Sequence, residues 1–241
     1  MNMNFMIKGF IRASMVDWPG KICAVIFLGG CGFRCPTCHN RELVLHSESF
    51  PDYPVERILR ELADKKGWID GVTVTGGEPT HSAGLPDLLT LLKRRGHKVK
   101  LDTNGSRPAT LARLIADGLV DAVYMDVKAP LTQTEYSKVA GVRVDPRAIR
   151  RSIRILNDSN LEVVFRTTVV PGLVEEPELA RIRRALGNAK RFMIQAFRNR
   201  DTLSTSFSGI KEFGLDRVER MRGLFEMPSP GLLTDRYAST G

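Results

Sequence analysis

The sequence predicts an α/β fold with parallel strands, a partial (β/α)6 barrel of TIM-like form, and three observations carry that reading. From residue 22 onward, short apolar or β-branched runs alternate with segments of helical apolar spacing. Six such runs occur, short of the eight that a closed barrel needs. No glycine-rich phosphate fingerprint follows the first run, so an open doubly wound sheet is the less favoured arrangement.

The elements follow in order. Residues 23–28 (CAVIFL) are continuously apolar, as a strand buried on both faces should be. Helical spacing returns in VERILRELADKK (55–66), before the β-branched run VTVTGG (72–77). LPDLLTLLKRRG (85–96) reads as a helix stopped by Gly96, KVKLDTNG (98–105) as a strand and turn, and ATLARLIADG (109–118) as a helix with its glycine stop. DAVYMDVK (121–128) is the fourth strand. DPRAIRRSIRILNDS (145–159) is a helix with Asp145 as its cap. LEVVFRTTVVPG (161–172), PELARIRRALG (177–187) and RFMIQAF (191–197) complete the rhythm as strand, helix and strand. The barrel is therefore assigned to residues 1–200. Residues 201–241 form a C-terminal extension, with a helix at 214–225 and a loosely ordered tail from MPSPG onward.

Composition bounds the class. The 241 residues are 42% hydrophobic and 26% charged, as in an ordinary globular protein with room for a full core. No apolar run reaches a membrane span, and the opening MNMNFMIKGF lacks the pattern of a signal peptide, so the expectation is a cytoplasmic protein. Thiols stay reduced there, and clustered cysteines point to metal or catalysis rather than disulfides. The net charge of +9 comes partly from arginine-rich helical segments such as 147–154 and 181–184. Their plain reading is a solvated helix face, and a basic surface for an acidic partner is the functional one. No nucleic-acid motif accompanies them.

Chemistry-bearing residues gather where strands end. Cys31, Cys35 and Cys38 follow the first strand, TGGEPT (75–80) the second, DTNG (102–105) the third and MDVK (125–128) the fourth. FRTTVVPG and IQAF hold Arg166, Thr168 and Gln195 on the last two. Asp126 and Lys128 are two apart and share a face, as do Arg166 and Thr168. Polar groups at the same end of six strands mark the mouth of a barrel. Three thiols are one short of a structural zinc site. Cys23 lies eight residues before Cys31, roughly 26 Å along an extended strand, and reads as a small buried hydrophobe. His39 adjoins Cys38, and neighbouring side chains rarely aim at one ion. A four-iron cluster held by three thiolates, with one iron open to a substrate, fits the C-x3-C-x2-C spacing better.

With Cys31, Cys35 and Cys38 in this spacing and TGGE at 75–78, the chain resembles the radical S-adenosylmethionine (SAM) enzymes. The resemblance implies a [4Fe–4S] cluster on the three cysteines, with SAM bound at the open iron, and it implies that Gly76, Gly77 and Glu78 meet the SAM ammonium. GFIRASMVDWPGK (9–21) narrows the likeness to the activases of glycyl-radical enzymes. In that group an equivalent of Asp17 stands near the incoming glycine. By the same likeness Asp102, Thr103, Asn104, Asp126 and Lys128 bind SAM and a nearby monovalent cation, and Arg166 and Gln195 match by strand position. The N-terminal pattern through HN at 39–40 is similar to the activating proteins of anaerobic ribonucleoside-triphosphate reductases. With four cysteines in all, none remains for auxiliary clusters. One departure is Thr37, where the family usually carries an aromatic residue.

The resemblance implies that SAM is reductively cleaved to a 5′-deoxyadenosyl radical, which takes a hydrogen from a glycine Cα of an anaerobic ribonucleotide reductase. It also implies a flavodoxin or ferredoxin as electron donor. Two rival readings are a radical SAM enzyme acting on a small molecule, of deazaguanine-synthase type, and a metal-binding regulatory or nucleic-acid-binding protein.

Overall fold

In the computed structural model, which describes residues 5–65 and 67–226, seven strands form one sheet in the order of the chain. They are β1 (Ile7–Ser14), β2 (Cys23–Leu28), β3 (Gly71–Gly76), β4 (Val99–Thr103), β5 (Ala122–Asp126), β6 (Glu162–Val169) and β7 (Phe192–Ala196). β2 to β7 are parallel, and β1 pairs antiparallel with β2. A doubly wound sheet would reverse its strand order at a switch point. This order never reverses and β7 does not pair with β1, so the fold is the expected partial barrel.

The helices are α1 (Arg41–Leu45), α2 (Val55–Asp64), α3 (Leu85–Arg94), α4 (Pro108–Ala116), α5 (Gln133–Ala140), α6 (Pro146–Asn157), α7 (Glu176–Ala185) and α8 (Leu215–Phe225). Asp145 caps α6 as expected, its carboxylate accepting the Arg147 N–H at 3.0 Å, a contact worth about 1 kcal/mol.

Two elements escape the sequence pattern. β1 adds a seventh strand to the six expected. Its ladder is broken twice, between Ile7 and Gly9 and between Ile11 and Ser14, so its apolar residues do not alternate. α5 carries only Tyr136, Val139 and Ala140 as a buried stripe and is set by its ends. Thr132 accepts the Glu135 N–H at its start, and Gly141 ends it at φ +67°.

Strand register sorts the side chains into two layers. Ala24, Ile26, Leu28, Val72, Val74, Val99, Leu101, Val123 and Met125 pack outward against the helices. Inward, Trp18, Cys23, Val25, Ala122, Tyr124 and Val164 form a smaller core at the foot of the barrel. The inward series continues upward as Asp102, Asp126, Arg166, Thr168 and Gln195, so polar groups occupy the mouth. The segment from 201 packs onto this frame through its described part. Val218 and Met221 of α8 join the outer core, and the Leu203 N–H donates to the Cys38 carbonyl at 2.9 Å. The tail read as loosely ordered, from 227 on, lies outside the described residues.

Candidate active site at the mouth of the barrel

β2 ends at Leu28 and delivers the cysteine loop directly over the barrel mouth. Backbone bonds hold the loop on several sides. Gly30 N–H reaches the Leu43 carbonyl (2.8 Å), Arg34 N–H the Ala140 carbonyl (2.8 Å), and Ser204 N–H the Pro36 carbonyl (2.9 Å). Cys31, Cys35 and Cys38 all line one cavity of about 310 Å³. All three are free thiols. Among the described residues, no three His, Cys, Asp or Glu side chains converge as a single ion would require. A tetrahedral zinc ion needs such convergence, whereas a cluster takes one thiolate per iron and spreads them.

Burial pushes the Cys31 thiol up to about 11, with Glu78 and Cys35 adding to it, and burial raises Cys35 too. Thiolates in such a loop call for strong positive charge against them, which iron supplies. The donor set thus fits the cluster. The two other ligand candidates fall away. Cys23 is fully buried at the opposite end of β2 and accepts a bond from the Thr73 hydroxyl at 3.4 Å. His39 lines the cavity, but its Nε2 pairs with the Arg198 carbonyl at 2.8 Å and its ring stacks on Phe197.

The second motif is pressed against the loop. The Glu78 N–H donates to the Gly30 carbonyl at 2.8 Å, and Asn40 Nδ2 donates to the Gly76 carbonyl at 2.7 Å. Glu78 is 2% exposed, and its carboxylate accepts from the Thr80 N–H and hydroxyl, the Thr103 hydroxyl and the Asn104 N–H. Burial pushes its carboxyl up against these four donors, which pull it down. Sequence reasoning gave Glu78 to a bound cation, and the structure adds that it ties the β3 loop to the β4 loop. Asn104 in turn aims its amide at the Cys31 sulfur, 3.8 Å away.

Deeper in the mouth, charges alternate across the strands. Arg166 Nε donates to Asp126 at 2.9 Å, and its Nη1 stands 3.4 Å from Asp102. Lys128 lies 3.4 Å from Asp126. Lys100, fully buried on β4, pairs with Asp102 and sits 4.3 Å over the Tyr124 ring. Burial works to raise the Asp126 carboxyl, yet the charges of Arg166 and Lys128 outweigh it and hold the group below its ordinary value. Burial lowers the Lys100 ammonium, and Asp102 acts against that. Sequence reasoning missed Lys100. Its signal was there in KVKLD, where Lys100 and Asp102 alternate with apolar Val99 and Leu101.

The cavity therefore unites Cys31, Cys35, Cys38, Gly76, Gly77, Glu78, Asp102, Thr103, Asn104, Asp126, Lys128, Arg166 and Gln195, together with Thr37. Asp17 is the exception. It sits in the β1–β2 hairpin, where Ser14 pairs with Cys23 at the foot of the sheet, and its carboxylate accepts from the Ser14 hydroxyl. The hairpin is fixed there because Trp18, 1% exposed, plugs the barrel foot and donates to Glu162 at 3.2 Å. The six residues of β2 separate Asp17 from the cysteine loop by roughly 20 Å. Where a monovalent cation was expected near the SAM carboxylate, Lys100, Arg166 and Lys128 pair with Asp102 and Asp126. No helix among the described residues is long and apolar enough to cross a membrane.

Comparison with known proteins points to one superfamily. The sequence model of the Radical SAM superfamily matches residues 25–183. A protein of Methanocaldococcus jannaschii assigned to the glycyl-radical enzyme activating enzymes is 31% identical over 227 residues, covering 92% of this chain and 91% of its own. The pyruvate formate-lyase 1-activating enzyme of Escherichia coli is 26% identical over 240 residues, covering 91% and 94%. The anaerobic ribonucleoside-triphosphate reductase-activating protein of the same organism is 32% identical over 87 residues only, 35% of this chain and 56% of its own. Among solved structures, Streptococcus suis SuiB bound to the precursor peptide SuiA superposes with a TM-score of 0.65 at 17% identity, covering 83% of this chain and 44% of that one.

Proposed function

Because the chain belongs to the radical SAM superfamily and, within it, to the glycyl-radical enzyme activating enzymes, we propose that it installs a glycyl radical on an anaerobic ribonucleotide reductase. The observation that carries the activase reading is the set of three free thiols sharing one cavity with an alternating charge cage and, among the described residues, no fourth protein ligand. Cys31, Cys35 and Cys38 would hold the [4Fe–4S] cluster. Gly76, Gly77, Asp102, Asp126, Lys128 and Arg166 would hold SAM. When bound, these two groups supply, after one-electron reduction, a carbon radical able to take hydrogen from a glycine Cα.

The chain's own residues do the rest. Lys128 and Arg166 offer positive charge to a carboxylate, while the Glu78 and Asp126 carboxylates face an ammonium. Asp102 and Asp126 hold the Arg166 guanidinium from two strands, so its orientation is set before anything binds. Gly76 and Gly77 let backbone approach a ligand closely. Asn104 steadies the Cys31 sulfur. With Lys100, Arg166 and Lys128 present, the two carboxylates are neutralised internally and need no metal cation.

The choice of partner rests on the N-terminal pattern 9–40 and on the lack of cysteines for auxiliary clusters. A second reading, a pyruvate formate-lyase type of partner, is favoured by the full-length match to that activase. Anaerobic reconstitution with SAM and a reductant, against each candidate partner in turn, decides between them. A glycyl EPR signal in the ribonucleotide reductase is the expected result. A signal in a pyruvate formate-lyase alone moves the assignment to the second reading. SAM cleavage without a signal in any partner removes the activase.

A further inference from the structure

A cationic patch covers the outer side of the cysteine loop, away from the cavity. Arg34 belongs to the loop itself and is exposed, its guanidinium donating to the carbonyls of Cys31 (2.6 Å) and Phe33 (2.8 Å). Arg107, exposed at the start of α4, stands 2.9 Å from Nδ1 of the exposed His81. The His81 ring borders the loop, since a carbon added on Gly30 or Gly32 would lie 3.9 or 4.0 Å from it. Burial first, then the charges of Arg107 and Arg34, disfavour the His81 imidazolium, so both guanidinium groups bear on the same ring. Among the described residues, Arg34 and Arg107 donate only to carbonyls and to His81. Some surface arginines are matched with acids, as in Arg12–Glu61, Arg147–Asp145 and Arg181–Glu135, and others such as Arg94, Arg150 and Arg184 are exposed without one among the described residues; Arg34 and Arg107 differ from these in standing against the cysteine loop. None of the three patch residues lines the cavity.

The activase reading requires two different visitors. A partner's glycine must enter the cavity, because hydrogen-atom transfer needs contact. An electron carrier need only reach the outer face of the ligand loop, since an electron crosses packed protein. The patch satisfies the second need: it is exposed, it is joined to the Cys31 carbonyl through Arg34, and its charges lack acidic partners. We propose that Arg34, His81 and Arg107 form the docking surface for a small acidic one-electron carrier protein, whose carboxylates take the places left open beside the two arginines. The carrier loses one electron to the iron–sulfur cluster, and no atom or proton moves with it. This inference rests on the activase reading. Charges at such a surface act mainly on association rate and salt dependence.

The probe is purified flavodoxin in its fully reduced form. Binding is read by anisotropy on both cluster-free and reconstituted enzyme, and cluster reduction by stopped-flow absorbance, at low and high salt. Arg107→Glu, and Arg34→Gln with Arg107→Gln, are expected to weaken binding and slow reduction about tenfold or more at low salt. Their salt dependence should flatten, while reduction by dithionite stays at the wild-type rate. Arg184→Gln with Lys190→Gln, on and beyond α7, should behave as wild type. If the Arg34 substitution costs the loop its iron, Arg107→Glu alone decides. Wild-type binding and reduction in Arg107→Glu overturn the proposal. So does equal weakening in the α7 control, which would mean a general positive field, or displacement of flavodoxin by the glycyl-radical partner. Normal docking with no glycyl signal in any partner would instead remove the activase reading and leave the docking surface standing.

Discussion

A methyl group on Gly77 would stand 2.0 Å from the carbonyl oxygen of Gly30, so the glycine after β3 and the glycine just before Cys31 are in backbone contact. The same Gly30 carbonyl accepts the Glu78 N–H at 2.8 Å. Neither loop can be placed without the other. Gly77→Ala must push the two apart, at a cost of about 1–3 kcal/mol. It is expected to lower urea stability by that amount and to halve, or worse, the iron and sulfide retained after anaerobic reconstitution. Gly209→Ala, where a methyl meets nothing within 4 Å, should leave both unchanged.

Glu78→Gln tests the brace between β3 and β4. The carboxylate only accepts, and its four donors come from Thr80, Thr103 and Asn104. A glutamine must turn its NH2 toward one side of that cage, leaving buried donors facing a donor. The expected loss is about 2–3 kcal/mol in a denaturant titration. Glu78→Gln with Thr103→Val, which also removes one of the opposing donors, should lose less than the two single losses added together.

Much of this was legible in the sequence because parallel strands buried on both faces leave continuous apolar runs, and the βα rhythm then forces the mouth to one end. CAVIFL, VTVTGG and DAVYMDVK each sit where their patterns put them. β1 was hidden because an edge strand with two register breaks keeps no period. The place of Asp17 was hidden for a related reason. Motif proximity in the chain says nothing about which end of β2 a hairpin occupies, and Trp18 in its socket beside Gly71 fixes it at the foot. Lys100 was passed over because a lysine in a strand reads as solvent-facing until the barrel closes around it. The contact between residues 203–204 and the cysteine loop joins distant segments with no shared motif, so only the fold reveals it.

Asp126 gives the acid limb of stability a defined sign. Its carboxyl lies below the ordinary value of 3.8 because Arg166 and Lys128 outweigh burial. Between the two values the unfolded chain binds the extra proton, so stability rises with pH there. The contribution is complete above the unfolded value and disappears as pH falls through the folded one. Asp126→Asn should therefore be less stable near neutrality but lose less stability than wild type from about pH 5 to pH 3. Urea titrations across that range measure the difference, and parallel limbs in the two proteins would show that Asp126 is not held by its cations.

Lys100 supplies the last and most specific expectation. Its ammonium is fully buried, pairs with Asp102 and rests over Tyr124, while Arg166 joins Asp102 to Asp126. Two carboxylates thus face three cations from the chain itself. A metal ion placed among them would meet positive charge on three sides, at a cost that its own attraction to Asp102 and Asp126 cannot offset in a low-dielectric mouth. SAM binding by the reconstituted enzyme should then be the same in potassium, sodium or choline buffers. Lys100→Met keeps an unbranched apolar stem but removes the ammonium, leaving Asp102 with Arg166 alone. That variant should bind SAM more weakly in choline and recover severalfold in potassium, because a small cation can now occupy the vacated place. Equilibrium dialysis with labelled SAM in the three buffers reads this directly. A wild-type enzyme that itself loses SAM in choline would mean that the metal cation belongs to the site and Lys100 only to its floor.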